Sequence, residues 1–222
     1  MIFLHTLLLA AALMTSMQER FREYRLQLKA YSLYERRAYS QAESAFRQLA
    51  TLVPEQKERM VARYNLACAL SMQGKYPDAA SLFAQNTKPD NEYREIRLKS
   101  LYNEGTTLAL RAIGSSEKEQ KTALFRQSLS RFRSLLVADA GDGEAKLNYE
   151  IVRRYLSELE APKRSKSSSA EKKSSPQPSS GISQEVADRL LENAQQNESS
   201  LMRQLPRTGT GAGRGGKNNK DW

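Results

Sequence analysis

The pattern of apolar and polar positions predicts helices along most of the chain. Between residues 19 and 159, apolar side chains recur every three or four positions, and most windows are rich in Ala, Leu, Gln, Arg and Glu. This spacing follows the 3.6-residue turn of an α-helix, and these residue types have high helix propensity. Pro and Gly, which end helices, are few in the same region. We therefore expect an all-α fold.

The helical region contains an internal repeat. The sequence Ala42-x3-Phe46 recurs 37 positions later as Ala79-x3-Phe83. A period of this size is typical of solenoids in which one pair of helices stacks on the next. Three further pairs of positions match at the same offset, namely Ala30 and Ala67, Leu33 and Leu70, and Tyr39 and Tyr76.

The residue types at the repeated positions indicate helix contacts. Two antiparallel helices approach closely only where small side chains face each other, whereas an aromatic ring fills the space between neighbouring pairs. We therefore place the small residues at the contacts and the rings between the pairs. The small residues are Ala30, Ala42, Ala67 and Ala79, and the rings are Phe46 and Phe83.

A third unit follows with a longer spacing. Residues 100–110 repeat the first-helix pattern with Gly105 at the small position, and residues 124–142 fit a second helix. In that second helix, Ser128 and Phe132 replace the Ala and Phe of the earlier units. The unit has 11 more residues between its two small positions than the preceding one. We expect the extra residues to lengthen either the helices or the loop.

The repeats resemble the tetratricopeptide (TPR) family. Segments 28–54 and 64–85 couple a small residue and an aromatic residue on one helix to A-x3-F on the next, as that family does. In the second segment, Gly74 is expected to adopt the left-handed conformation that ends a helix. Pro77 suits the first turn of the following helix.

The stack is expected to end at a single helix. Residues 145–156 match another first helix with no second helix after them, as a capping helix would. One helical pair cannot cover its own apolar face, so about three units must stack. The resemblance therefore implies a TPR helical-hairpin solenoid of about three repeats plus a capping helix, over residues 18–160.

The resemblance also implies a peptide-binding groove, because TPR stacks bind extended peptides on a concave face lined by first helices. Asn65, Asn103 and Asn148 occupy equivalent positions in three successive first helices, and each amide offers a donor and an acceptor to a peptide. Of the positions with which TPR clamps hold a terminal carboxylate, only Asn65 and Lys99 match. Alternatively, the aromatic side chains of this region pack between repeats. The groove residues that we predict are Tyr31, Tyr64, Asn65, Lys99, Tyr102 and Asn103.

Three segments follow the solenoid. Residues 161–181 have no aromatic and no β-branched side chain and are expected to form a flexible linker. Residues 182–205 show helical spacing of apolar positions and predict one amphipathic helix, which either docks on a partner or folds back onto the stack. Residues 206–222 are Gly-rich and basic and are expected to be disordered. The docking residues that we predict are Val186, Leu190, Leu191 and Leu201.

The N-terminal segment is apolar. Residues 1–17 have the length of a signal peptide and are marginal for a membrane span of roughly 20 residues. No Lys or Arg precedes this run, whereas four basic residues follow it between Arg20 and Lys29. That flank would stay in the cytoplasm under the positive-inside rule. We expect a signal peptide or a membrane anchor, and the orientation stays open.

Charge and side-chain chemistry argue against several classes of function. The net charge is +10, but the basic residues of the helical region alternate with acidic ones at helical spacing, which indicates surface pairing rather than a nucleic-acid track. The chain has one histidine, His5, and one cysteine, Cys68, so a His/Cys metal site cannot form within one chain. We therefore expect no enzyme activity, no cofactor, no nucleic acid and no small-molecule substrate.

The overall layout resembles the TPR protein of bacterial aerotolerance (Bat) operons. The features that carry this resemblance are the apolar N-terminus, the short stack, the cap AKLNYEIVRRYL, the tail segment ADRLLENAQQNE and the ending Lys220-Asp221-Trp222. The resemblance implies a non-enzymatic subunit at the periplasmic side of the inner membrane. Its partners would be von Willebrand A-domain membrane proteins and a MoxR-type ATPase. The alternative is a cytoplasmic TPR adaptor or chaperone cofactor that binds extended peptides.

Overall fold

The structure is a computed structural model that describes residues 2–54, 56–88, 93–161, 188–190 and 192. Within these ranges the regular structure is helical, with no β-strand. The seven long helices are α1 (Ile2–Glu35), α2 (Tyr39–Leu52), α3 (Gln56–Ser71), α4 (Tyr76–Gln85), α5 (Arg94–Gly114), α6 (Lys118–Ala138) and α7 (Gly143–Glu160).

Successive helices pack against each other from α1 to α7. The odd-numbered helices also meet directly, since α3 contacts α5 and α5 contacts α7. This arrangement is a solenoid of three helical hairpins, α1/α2, α3/α4 and α5/α6, followed by the single helix α7. It confirms the expected all-α solenoid with three repeats and a final helix.

The small residues of the repeat are fully buried in the first two hairpins, as the repeat predicted. These residues are Ala30, Ala42, Ala67 and Ala79. The rings of Phe46 and Phe83 are also fully buried, and each meets a tyrosine edge-on. The sequence pattern therefore marks the positions at which the helices of each hairpin pack most closely.

The third hairpin has the same design with longer helices. Both α5 and α6 have 21 residues, whereas α3 has 16 and α4 has 10. The additional residues therefore lengthen the helices and not the loop. Gly105 lies at the closest approach, where a Cβ atom would come within 3.0 Å of the Phe132 ring. The Ser128 hydroxyl donates a 2.7 Å hydrogen bond to the Gly105 carbonyl.

Two helix ends use the left-handed backbone conformation. Gly74 has a φ of +74° after α3, and the amide of Lys75 donates to the Leu70 carbonyl at 3.0 Å. This geometry confirms the predicted helix end, and Pro77 lies in the first turn of α4 as expected. The equivalent position after α1, one repeat earlier, is Arg37, with a φ of 60°. A residue with a Cβ atom is strained in this region.

The buried residues form two clusters. One cluster contains residues of α1, α2, α3 and α4, together with Ile96 at the start of α5. The other contains residues of α5, α6 and α7, together with Ala80 of α4. The second cluster also contains Leu190, which is only 1% exposed. Leu190 is thus buried by the protein itself, as the folded-back alternative for the tail helix requires. Val186, Leu191 and Leu201 lie outside the described residues, as do residues 162–187 and 193–222.

Helix α1 continues without interruption through the boundary that we expected near residue 17. Its backbone is described from Ile2, while most side chains before Met17 lie outside the described residues. Among the helices in the described part of the chain, none is long and apolar enough to cross a membrane.

Candidate functional site

A ladder of asparagine–tyrosine hydrogen bonds connects successive repeats. The amide nitrogen of Asn65 in α3 donates to the Tyr31 hydroxyl of α1 at 3.1 Å. Asn103 of α5 donates in the same way to Tyr64 of α3 at 2.8 Å. The third such bond joins Asn148 of α7 to Tyr102 of α5, also at 2.8 Å. All three asparagines are buried, so their amides hold the repeats together.

Each tyrosine of the ladder also contacts the aromatic ring of its own hairpin. Tyr31 meets Phe46 edge-on with ring centroids 5.6 Å apart, and Tyr64 meets Phe83 at 5.6 Å. The third hairpin repeats the contact between Tyr102 and Phe132 at 5.9 Å. Edge-to-face pairs at these distances are favourable. The tyrosines therefore pack between repeats, which is the alternative to a role in an open groove.

The first rung departs from the sequence repeat. At the 37-residue offset Tyr64 matches Gln27, and Tyr31 matches Cys68. In α1 the accepting tyrosine, Tyr31, therefore lies one helical turn after the position that the repeat predicts. Gln27, which occupies that position, donates to the Tyr31 hydroxyl at 3.3 Å. Burial is the main cause that raises the pKa of Tyr31 above its ordinary value, although the hydrogen bonds from Gln27 and Asn65 oppose it. Tyr31 therefore keeps its proton at neutral pH.

A cavity of about 430 Å³ opens beside the second rung of the ladder. Its walls come from α3, from the first three turns of α5 and from the turn between α6 and α7. Four of the six predicted groove residues line it, namely Tyr64, Lys99, Tyr102 and Asn103. The remaining lining residues are Arg94, Glu95, Leu98, Asp139 and Asp142. The structure thus brings most of the predicted groove together at one place.

Charged groups of both signs line this cavity. The Lys99 ammonium lies 3.3 Å from the Glu95 carboxylate, and the Lys99 side chain is 22% exposed. Arg94 donates a 2.7 Å hydrogen bond to the carbonyl of Ala138, which ties α5 to the end of α6. Asp142 caps α7 by accepting from the Ala145 amide at 2.9 Å. A ligand that carries amide groups and charges of both signs, such as a peptide segment, matches this lining.

The remaining two predicted groove residues lie elsewhere. Tyr31 and Asn65 form the first rung of the ladder, one repeat before the cavity. Five lining residues were missed by sequence reasoning. Among them, Glu95 and Leu98 follow helical spacing with the predicted Tyr102, and that signal was present in the sequence. Asp139 and Asp142 reach the cavity only because α6 and α7 pack against α5.

Two glutamates of the solenoid, Glu43 and Glu104, make ionic contacts between its elements. Glu43 of α2 binds Lys75 at 2.8 Å and Arg47 at 2.9 Å, and it accepts a 3.0 Å hydrogen bond from Gln73. These contacts, chiefly that with Lys75, lower the pKa of Glu43 to about 2. Glu43 therefore holds the α2 helix to the turn that follows α3.

The second ionic contact joins the two long helices of the third hairpin. Glu104 of α5 is buried, and its carboxylate lies 2.7 Å from the Nε atom of Arg131 in α6. Burial raises the pKa of Glu104 above its usual range, and Arg131 offsets part of that effect. In the part of the chain that the structure describes, no group of three His, Cys, Asp or Glu side chains is placed to hold a metal ion.

Comparisons with known proteins return no relative. No family model matches the chain, and neither the curated proteins nor the solved structures include a significant match.

Proposed function

We propose that this chain is a non-enzymatic scaffold that binds a segment of another protein in the cavity between α3 and α5. The observation that supports this proposal is a cavity of about 430 Å³ where the partly exposed Lys99 and Glu95 of α5 meet Asp139 and Asp142 of the α6–α7 turn. The buried rings of Tyr64 and Tyr102 form its floor. A cavity of this volume accommodates a few side chains of an extended segment. The rigid Asn–Tyr ladder behind it would keep its walls preorganised, which lowers the entropic cost of binding.

The resemblance to Bat-operon TPR proteins supplies the cellular part of the proposal. Under this proposal, the chain belongs to a membrane-associated complex of the bacterial envelope. Its partners are von Willebrand A-domain membrane proteins, and a MoxR-type ATPase belongs to the same system. Residues 1–17 would act as the export signal or as the anchor in the inner membrane. The mixed charges around Lys99 suit a polar partner segment better than a purely apolar one.

The binding site is tested with Lys99→Glu, because this side chain is partly exposed and lies in the cavity wall. Tagged protein is recovered from native membranes, and co-purifying proteins are identified by mass spectrometry. We expect von Willebrand A-domain proteins with the natural chain and at least about a tenfold loss with the variant, since reversal of a buried interface charge costs 2 kcal/mol or more.

A matched control is Lys118→Glu, which makes the same charge change at an exposed position in the first turn of α6. Partner recovery should survive this substitution, and both variants should keep the thermal midpoint of the natural chain. Equal recovery with Lys99→Glu would exclude the cavity as the binding site. Recovery of cytosolic chaperones in place of envelope proteins would support the adaptor alternative.

The location is tested with reporter fusions after residue 161, where α7 has ended. Export predicts an active alkaline phosphatase fusion and a dark green fluorescent protein fusion. The opposite pattern would place the solenoid in the cytoplasm and contradict the envelope assignment.

A further inference from the structure

A second pocket lies where α1 passes the C-terminal end of α2. Its volume is about 590 Å³. The last turn of α2 forms one wall, to which it contributes Thr51 and Leu52. The wall on α1 contains three basic side chains, namely Arg22, Arg25 and Lys29. The described lining contains no Asp or Glu, so this pocket is positively charged, whereas charges of both signs line the cavity between α3 and α5.

The three basic side chains share one face of α1. Positions 22, 25 and 29 follow the spacing of a single helix face and span roughly 10 Å along the axis. In the described part of the chain, no carboxylate forms an ion pair with any of the three. The guanidinium carbon of Arg25 lies 5.9 Å from the centroid of the Phe21 ring, within the range of a cation–π contact. An anion in the pocket would therefore relieve the mutual repulsion of these charges.

Helix α1 extends beyond this pocket as an apolar segment. It has 34 residues, whereas α2, which packs against it, has 14. Helix α1 is therefore roughly 30 Å longer than α2, at 1.5 Å per residue. The described large side chains of the extension are 65–72% exposed, and they are Leu7, Met14 and Met17. The apolar segment and the basic pocket thus follow each other on one continuous helix.

The headgroup of an anionic lipid matches both features. Its phosphate accepts hydrogen bonds from guanidinium groups, and its acyl chains require an apolar surface next to the phosphate site. Basic residues beside a membrane-associated apolar segment attract anionic lipids. An acidic protein segment would match the basic side chains but would leave the apolar extension uncovered. From the charge of the pocket and the adjoining apolar helix, we infer that the pocket between α1 and α2 binds the phosphate of an anionic phospholipid.

This inference rests on the proposed membrane association of residues 1–17, but not on the cavity that contains Lys99. The test is flotation of the full chain with two kinds of vesicle, one of phosphatidylcholine alone and one that also contains phosphatidylglycerol. Binding to the neutral vesicles reports the apolar segment, and the gain in affinity from phosphatidylglycerol reports the pocket. We expect this gain to fall by about tenfold or more in the double variant Arg22→Gln/Arg25→Gln, because each basic residue near an anionic surface adds to the attraction.

The matched control is the double variant Lys118→Gln/Arg133→Gln, which removes two positive charges at exposed positions of α6. The gain from phosphatidylglycerol should stay within about threefold of the natural value, since exposed charges act only over about 10 Å at moderate salt. Circular dichroism verifies that both double variants keep their helix content, as expected for exposed positions.

Two results would overturn the inference. One is equal binding of the natural chain to both kinds of vesicle, which would keep the membrane association of residues 1–17 and exclude the pocket as a lipid site. The other is a gain from phosphatidylglycerol that Arg22→Gln/Arg25→Gln leaves unchanged. Neither result bears on the cavity that Lys99→Glu tests. If the natural chain binds no vesicles and the Arg22→Gln/Arg25→Gln variant loses its partner proteins, then an acidic protein segment occupies the pocket in place of a lipid.

Discussion

At the residue scale, single side chains hold neighbouring repeats in register. Asn65, Asn103 and Asn148 are buried amides that each donate to a tyrosine of the preceding first helix. A buried hydrogen bond of this kind contributes about 1 kcal/mol, but the loss of one partner costs more because the other stays desolvated. Register between repeats is therefore sensitive to these few positions.

The first rung of the ladder is tested by Asn65→Leu, which keeps the side-chain volume and removes the donor to Tyr31. We expect a loss of about 1–3 kcal/mol in the free energy of unfolding, measured by urea denaturation. Tyr31→Phe removes the acceptor, so the double variant should be more stable than the sum of the two single effects predicts. Additive effects in this double-mutant cycle would show that the two side chains are not coupled.

A second residue-scale prediction concerns the left-handed positions Arg37 and Gly74, which end the first helices of the first two repeats. Arg37→Gly should raise the stability by about 0.5–1 kcal/mol, because glycine adopts a positive φ without strain. Gly74→Ala should lower it by about 1–2 kcal/mol from backbone strain alone, since a Cβ atom there meets no neighbour within 4 Å. Thermal melts that move in the same direction would contradict this explanation.

At the scale of the helices, close packing is set by which residue faces which. The first two hairpins use Ala at their contacts, whereas the third uses Gly105 against the ring of Phe132. Phe132 is fully buried and in contact with Tyr102, so it has little room to move. The hairpin of α5 and α6 is therefore less tolerant of added volume than its composition suggests.

Replacement of glycine by alanine should affect the stability of the fold differently at two positions of α5. Gly105→Ala places a Cβ atom about 3.0 Å from the Phe132 ring, and overpacking of this kind costs roughly 1–3 kcal/mol, which exceeds the gain in helix propensity. Gly114→Ala adds the same methyl group at the end of α5 with no atom within 4 Å, and should be neutral or stabilising by up to about 1 kcal/mol. Chemical denaturation of both variants decides this. A stabilising Gly105→Ala would mean that the helices separate at little cost.

Glu43 makes the contact between α2 and the α3–α4 turn dependent on pH. Its folded-state pKa of about 2 lies below the ordinary 4.5. The charged carboxylate therefore stabilises the fold fully at pH values above 4.5. This contribution is lost as the pH falls from 4.5 towards 2. Because Lys75 and Arg47 are about half exposed, we expect a contribution of about 1 kcal/mol and not the full value that the shift implies.

The measurement is the difference in unfolding free energy between the natural chain and Glu43→Gln at several pH values. The difference should be largest at neutral pH and should vanish near pH 2. Glu150→Gln is the control, since Glu150 pairs with Arg153 on the surface of α7, where both side chains are more than half exposed. It should change the stability by less than about 0.5 kcal/mol at any pH. A pH-independent effect of Glu43→Gln would rule out the ionic contact as its cause.

At the scale of the whole molecule, the two ends of the solenoid differ. The cluster at the C-terminal end, formed by α5, α6 and α7, includes Leu190, which lies far beyond the last long helix in sequence. Helix α1 at the other end has large apolar side chains that the described residues leave exposed, among them Phe21, Tyr24 and Leu28. Leu190 thus contributes to the core at the C-terminal end, whereas α1 keeps exposed apolar side chains at the N-terminal end.

Leu190→Ala tests the covered end. Because Leu190 is 1% exposed, the substitution should lower the stability by about 2–5 kcal/mol, as in other cores, with a clear fall in the thermal midpoint. Glu192→Ala changes an exposed residue two positions later and should have little effect. An unchanged midpoint for Leu190→Ala would return the tail helix to the role of an independent docking element.

The sequence by itself determined the fold class, the number of hairpins and many of the helix contacts. These features depend on local spacing and on residue size, so Ala79, Phe83 and Gly74 could be assigned from their repeat positions alone. Lys99 and Tyr102 were both predicted for one groove from the resemblance to TPR stacks, and they line one cavity in the structure. The roles of the repeated asparagines were harder to predict. Their spacing in the sequence is the same whether each amide binds a peptide or a tyrosine of the neighbouring repeat.

Only the tertiary structure decided between those roles. It turned Asn65 and Asn148 inward onto tyrosines, because burial of a polar group requires a partner that the stacked neighbour supplies. It brought Asp142 to the cavity beside Lys99, and it placed Leu190 in a core cluster more than 30 residues after the nearest members in α7. Such contacts join positions that are distant in the chain, and their geometry depends on how the helices cross, which no local pattern encodes.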